Sequence, residues 1–264
     1  MDFGIAGRVA LVSGGSKGIG REVARLLAEE GARVVICGRG QQAVDEALAA
    51  LRADGAEAVG VACDMTTAEG VERAVGTARD AFGMPDIAIS NVHGPGPGDF
   101  FDVEPADFER VLREMTMSVV LLARAVIPAM RERGWGRLVN IGSGAAKEPP
   151  PDLKHILANT ARAPVVTLNK SLSNEFGPDG ITVNTVGTGF IATDRVRQYA
   201  EHVAQEKGIT PQEALAGFAA GIPLRRPGRP EEIASVIAFL CSEPGGYVTG
   251  QLVGVDGGVT RAAF

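Results

Sequence analysis

The first residues in this chain suited to chemistry form the turn Gly14-Gly15-Ser16-Lys17-Gly18-Ile19-Gly20. It stands between an apolar run and a helix-forming one. Glycines let a backbone approach a pyrophosphate, and a helix N-terminus favours its negative charge, so the turn fits the phosphates of a dinucleotide. The spacing of Gly14, Gly18 and Gly20 is G-x-x-x-G-x-G, not the general G-x-G-x-x-G, and glycines also serve as plain turn residues. The place after a first strand and before a helix carries the reading.

The ends of the later apolar runs add to it. The second run ends in Cys37-Gly38-Arg39. A site that selects NAD often has an acidic residue here for the ribose 2′-hydroxyl. Arg39, with Lys17, instead sets two cations where a 2′-phosphate would lie. The pair favours NADP (NADPH) over NAD, although either cation alone reads as a solvated surface charge. Asp64, beside Met65, can accept from an adenine amino group or cap the helix that follows. In Ser90-Asn91-Val92-His93-Gly94, Asn91 and Val92 fall at a fourth strand end, where Asn91 can tie two strand ends together. His93 reads as a bystander.

Positioning these residues requires a particular set of elements. Apolar runs predict strands over 8–13, 33–37, 58–63, 86–90, 137–141, 181–186 and 252–255. Amphipathic stretches predict helices over 19–30, 41–54, 67–82, 105–133 (broken once), around 165–176, and over 230–242. Wholly apolar strands joined by helix-length crossovers mean parallel strands covered on both faces. The fold class is therefore α/β, a Rossmann-type doubly wound parallel sheet of about seven strands in a single domain spanning 1–264. In such sheets ligands bind beyond the carboxyl ends of the strands. The mostly helix-forming insertion 192–221, with Tyr199, His202, Ile209, Leu215 and Phe218 among charges, is placed to cover a substrate.

Composition narrows the partners. The 264 residues carry 26 Lys+Arg against 32 Asp+Glu, a net charge of −6, which argues against a nucleic-acid partner held by phosphate contacts. No apolar stretch approaches the roughly 18 residues of a membrane span, and the N-terminus lacks a secretory pattern. Cys37, Cys63 and Cys241 form no C-x-x-C pair. That predicts no metal, no disulfide framework and a cytoplasmic location.

The order of motifs resembles the short-chain dehydrogenase/reductase family, in the subgroup that includes 3-oxoacyl-carrier-protein reductases. The markers are SGGSKGIG at 13–20, CD at 63–64, SNVHG at 90–94 and GRLVNIGS at 136–143. They continue with KSLSNEFGPDGITVNTVGTGFIAT at 170–193, PLRRPGRPEEIASVIAFL at 223–240 and YVTGQLVGVDGG at 247–258. The resemblance implies a nicotinamide cofactor, a small-molecule substrate and a homo-oligomer, tetramer or dimer. By position it sets Gly189, Ile191 and Thr193 at the cofactor, with Ile191 and Thr193 on the nicotinamide carboxamide.

The resemblance also implies an Asn-Ser-Tyr-Lys tetrad, and here the chain departs from it. It has two tyrosines. Four residues after Tyr199 stands Val203, and four after Tyr247 stands Gln251, so no Tyr-x-x-x-Lys motif exists. Counting along the shared stretches puts Ala158 at the Tyr position, Arg162 at the Lys position and Met115 at the Asn position. Only Ser143 keeps its place. Arg162 can still bond the nicotinamide ribose but is no proton donor, because guanidinium stays protonated.

Candidates to replace the acid lie between Ser143 and Arg162. Lys147 can supply a cation and a proton, and His155 a proton near neutral pH. Asn159 can orient a carbonyl. Each also has a plain reading: Lys147 and His155 as surface residues, Asn159 or Thr160 as a helix N-cap. Pro164 is welcome in a helix's first turn and costs about 3 kcal/mol inside one, so the helix is expected to begin late. Pro149-Pro150-Pro151 is expected to hold the preceding loop extended. A divergent subgroup of reductase-like proteins has a similar K-(E/Q)-P then (S/A)-N-x-x-R arrangement.

The expected function is an NADP-dependent oxidoreductase that reduces a carbonyl or oxidises an alcohol with an atypical active site. The alternatives are a non-redox lyase, isomerase or cyclase on the same scaffold, or a non-catalytic nucleotide-binding partner. Phe264 and the apolar face of 230–242 can belong to a subunit interface, and core packing explains that face equally well.

Overall fold

The computed structural model describes residues 2–150 and 154–262. Seven strands form one sheet: β1 Val9–Ser13, β2 Arg33–Gly38, β3 Ala58–Ala62, β4 Ile87–Ser90, β5 Gly136–Ser143, β6 Ile181–Thr188 and β7 Leu252–Val255. Their spatial order is β3-β2-β1-β4-β5-β6-β7. All pairings are parallel, with Ser13 opposite Cys37 and Ser143 opposite Thr188. The order reverses direction between β1 and β4, which opens the crevice that such sheets use for ligands.

The reason for continuous apolar strands is visible in β1. Alternate side chains point to opposite faces. Ala10 and Val12 join one core with Val23, Leu27, Val44, Ile233 and Ile237. Val9 and Leu11 join the other with Val71, Ala74, Leu122 and Met130. The first core is supplied by helices α1 Gly18–Glu29, α2 Gln41–Ala53 and α9 Pro230–Cys241, the second by α3 Ala68–Ala81 and α5 Ser118–Arg133. The apolar face of α9 is thus used in the core. Phe264 and Pro151 lie outside the described residues, and Pro149-Pro150 carry no regular element.

The stretch 105–133 is broken once, as expected: α4 Pro105–Val111, a π-helical segment Leu112–Met117, and α5. Three other expectations about helices need correction. The helix expected around 165–176 begins nine residues earlier, as α6 Ile156–Phe176, with Pro164 inside it. His155, not Asn159 or Thr160, stands at its N-cap. Buried contacts of Leu157 and Ala161 with Val111 and Met115 hold the first turns helical and offset the donor that proline removes. Asp64 does not cap α3. Thr67 does, its hydroxyl accepting from Gly70 N at 3.0 Å.

The insertion 192–221 holds α7 Asp194–Lys207 and α8 Pro211–Ala220. Thr210 and Glu213 form a capping box at the start of α8, behind a proline at its first position, the signature that stops one helix and starts another. The two helices share a small core of Ala200, Val203, Ala204 and Ala214. Among the described residues, no helix is long and apolar enough to cross a membrane.

Candidate active site

The glycine turn is built as a cradle. Gly14 and Gly18 have φ of +63° and +54°, a region that disfavours side chains. A methyl on Gly20 would run into the Gly14 carbonyl, and one on Gly14 would lie 2.8 Å from Asn91 Nδ2. Asn91 does tie strand ends together: its carbonyl accepts from Ser13 Oγ at 2.9 Å. Val92 packs between two apolar clusters. No side-chain bond caps the start of α1 at Lys17, so that helix end presents amides outward.

Neighbouring strand ends meet this turn. Gly15 N donates to the Cys37 carbonyl at 3.1 Å, and Ser16 Oγ lies 2.8 Å from the place of a Cβ on Gly38. Lys17 and Arg39, the next residues on each side, are both exposed. Cys63 N donates to the Gly38 carbonyl at 2.9 Å, which brings up Asp64. Its carboxylate accepts from the Thr66 amide and hydroxyl at 3.0 and 2.8 Å, while Met65 is buried in the core.

The loop after β6 closes the other side. Gly189 passes so near Asp256 that a Cβ would sit 2.8 Å from its Cα. Ile191 is buried and bridges to Gly228. Thr193 places its Cγ2 3.5 Å from the position of a Cβ on Gly18. These residues fit a dinucleotide: positive-φ glycines, a helix start without a side-chain cap and two exposed cations on neighbouring strand ends are groups that a pyrophosphate and a 2′-phosphate would engage.

Ser143 closes β5. Its hydroxyl donates to the Thr188 carbonyl at 3.4 Å and accepts from Ala145 N at 3.2 Å. Next to it opens a cleft of about 400 Å³. The first turns of α6 give it His155, Ile156, Asn159, Thr160 and Ala163, and the turn after Ser143 gives it Ala145, Ala146 and Pro149. Gly98, Asp99 and Phe100 form the third side, held there by Gly98 N donating to the Lys154 carbonyl at 2.6 Å. Lys154 Nζ meets Asp99 Oδ2 at 3.0 Å, and that bond pushes the ammonium pKa up.

The structure therefore separates the five candidates. His155 and Asn159 line the cleft together, and Ser143 stands one residue before the turn that walls it. Arg162 is half-buried on α6, and Lys147 is exposed and outside the lining. Ala158 is fully buried. Met115 lies in the π-helical segment, packed with Ala161, whose carbonyl accepts from Thr116 Oγ1 at 3.0 Å.

Sequence reading missed a line of aromatic rings that joins the insertion to the cleft. His155 lies 5.3 Å from Tyr199, Tyr199 stacks on Phe218 at 5.5 Å, and Phe218 stacks on Phe190 at 4.9 Å. Burial, aided by the charge of Glu206 and opposed by Lys154, pushes the Tyr199 phenol pKa up, so this ring stays neutral at ordinary pH. The residues lie far apart in sequence and follow no spacing rule. The contact of Glu148 with the backbone of Arg261 and Ala262 was missed for the same reason. No group of metal-ligating residues is found among the described residues.

Comparison with known proteins agrees with this architecture. The family model described as enoyl-(acyl carrier protein) reductase matches residues 14–260. The dehydrogenase/reductase SDR family member 4 of Oryctolagus cuniculus is 38% identical over 96% of this chain and 94% of its own length. The L-sorbose reductase of Gluconobacter frateurii, solved with NADPH and L-sorbose, superposes with a TM-score of 0.94 at 32% identity, covering 99% of this chain and 100% of that one. A short-chain oxidoreductase of Pseudomonas aeruginosa, solved with NADPH and described as containing an atypical catalytic center, gives 0.88 at 30% identity over 99% and 100%. The chain belongs to the short-chain dehydrogenase/reductase family. It is an oxidoreductase of that family.

Proposed function

We propose that this protein is an NADP(H)-dependent reductase of a small carbonyl compound, or the reverse alcohol dehydrogenase, working without the family's tyrosine acid. The observation that carries the reading is the cleft beside the end of β5, which His155 and Asn159 line together. When bound, the cofactor would supply or accept hydride through its nicotinamide. Gly14, Ser16, Gly18, Ile19 and Gly20 cradle its phosphates, and Lys17 and Arg39 face the 2′-phosphate. Asp64, Met65, Asn91 and Val92 border the adenosine side. Gly189, Ile191, Thr193 and Arg162 hold the nicotinamide half.

Ser143 and Asn159 orient the carbonyl oxygen. His155 gives it a proton, the role imidazole fills in many general acids. Lys147, exposed and outside the cleft lining, adds positive charge at the rim rather than a proton. Helices α7 and α8 cover the site, seated through Tyr199 and Phe218. Holding reactants in one geometry contributes several kcal/mol on its own, which lets a less tuned acid suffice. The reading agrees with NADPH in both solved relatives and with the atypical center described for one of them.

The test is loss of NADPH absorbance with a panel of ketones, aldehydes and ketoses. Turnover of at least one is expected. Tight NADPH binding with no turnover on any would contradict the reading.

A further inference from the structure

The wall of the cleft next to Ser143 is short and has little structure of its own. Gly144–Ala146 make a single 3₁₀ turn, closed by the amides of Lys147 and Glu148 on the Gly144 carbonyl at 2.9 and 3.1 Å. What braces it comes from the far end of the chain. Glu148 Oε2 accepts from both Arg261 N and Ala262 N, each at 2.8 Å. Two backbone donors on one carboxylate oxygen make a charge-assisted grip, stronger than a neutral pair.

The gripped segment is itself held. Asp256 Oδ1 accepts from Gly258 N at 2.8 Å and Oδ2 from Thr260 N at 3.0 Å. Thr260 Oγ1 lies 2.8 Å from the place of a Cβ on Gly144, so the segment runs flat against the first residue of the wall. It also meets the exit of α8. Leu224 N donates to the Gly257 carbonyl at 3.3 Å, and Pro223 lies 3.2 Å from the place of a Cβ on Gly258. One short segment thus touches both the wall and the residues that follow the helical insertion.

We propose that Glu148 is a positioning residue: its grip on the Arg261 and Ala262 amides holds the 144–149 wall in the place that shapes the substrate cleft. The role in turnover rests on the carbonyl-reductase reading. The bracing does not, and it can be measured without substrate. An unbraced surface turn opens readily, and a small misplacement beside reacting groups costs up to about a hundredfold in rate.

The experiment compares wild type, Glu148→Ala, Glu148→Gln, a chain ending at Thr260, and that truncation combined with Glu148→Ala, all with NADPH bound. Hydrogen exchange reads the amides of 144–148 and, in the full-length chains, those of 261–262. Nicotinamide fluorescence reads NADPH affinity, and steady-state kinetics read KM and kcat for the best carbonyl.

Faster exchange of the wall is expected in Glu148→Ala and in the truncation, with NADPH affinity unchanged. Carbonyl kcat/KM should fall roughly tenfold to a hundredfold, mostly through KM. The double variant should be no worse than either single one, because both remove the same contact. Glu148→Gln keeps an acceptor oxygen and should recover most of the loss. Unchanged exchange in Glu148→Ala, additive losses in the double variant, or an equal loss of NADPH affinity would each overturn the proposal. If the wild type reduces no carbonyl, the reductase reading fails, and the exchange comparison alone decides for or against Glu148.

Discussion

The ring of Tyr199 lies 5.3 Å from that of His155, tilted by 41°. It is the joint between the helical insertion and the cleft, since Tyr199 stacks on Phe218 on its other side. Aromatic pairs contribute about 0.5–1.5 kcal/mol each beyond their buried area. Tyr199→Ala removes two pairs and is expected to lower kcat/KM roughly tenfold or more, with easier proteolysis within 194–220. Tyr199→Phe keeps the rings and should stay near wild type. Equal losses in both variants would point to the hydroxyl instead.

If His155 gives the proton, His155→Gln should lower kcat about a hundredfold to a thousandfold, with NADPH affinity unchanged by fluorescence titration. Lys147→Ala should leave kcat near wild type, because Lys147 is exposed and outside the cleft lining.

Lys17 and Arg39 are exposed and directly follow Ser16 and Gly38, which meet at the glycine turn. A hydrogen bond to a charged group contributes about 1.5–3 kcal/mol. Arg39→Ala and Lys17→Ala should each weaken NADPH about tenfold to a hundredfold and NADH hardly at all. Arg39→Asp should move the preference toward NADH. Binding titrations with the two cofactors decide it, and equal weakening of both would remove the 2′-phosphate role.

Asp256 links acid stability to the C-terminal brace. Burial pushes its carboxyl pKa up, but the hydroxyl and amide of Thr260 and the amides of Gly258 and Val259 outweigh that, so the net shift is downward. A depressed folded value means that the unfolded chain binds the proton more readily. The contribution is full above the ordinary aspartate value of about 3.9 and is lost as pH falls through the folded value. Urea midpoints measured down a pH series should fall in that range for wild type. They should fall less steeply for Asp256→Asn.

Much of the architecture is legible in the residues, because parallel strands buried on both faces need unbroken apolar runs such as Val34–Cys37. The cradle is legible because side chains are disfavoured at Gly14 and Gly18 by their positive φ and at Gly20 by the Gly14 carbonyl. The start of α6 is not. Pro164 signals a first turn locally, and tertiary burial of Leu157 and Ala161 overrides it. Asp64 reads as a cap for α3, but its carboxylate is taken by Thr66 and Thr67 accepts from Gly70 N instead. The rings of His155, Tyr199, Phe218 and Phe190, and the grip of Glu148 on Arg261 and Ala262, join distant positions. Local pattern holds no trace of such pairs.

The central claim is that hydride passes between a bound nicotinamide and a carbonyl carbon in this cleft. The most direct measurement uses NADPH deuterated at C4, one face at a time, with the best carbonyl found in the panel. The account predicts deuterium on the carbinol carbon of the product from one face only, and its loss in step with turnover in His155→Gln. Product formed with all of the label retained on the cofactor would contradict it and identify non-redox chemistry on the same scaffold.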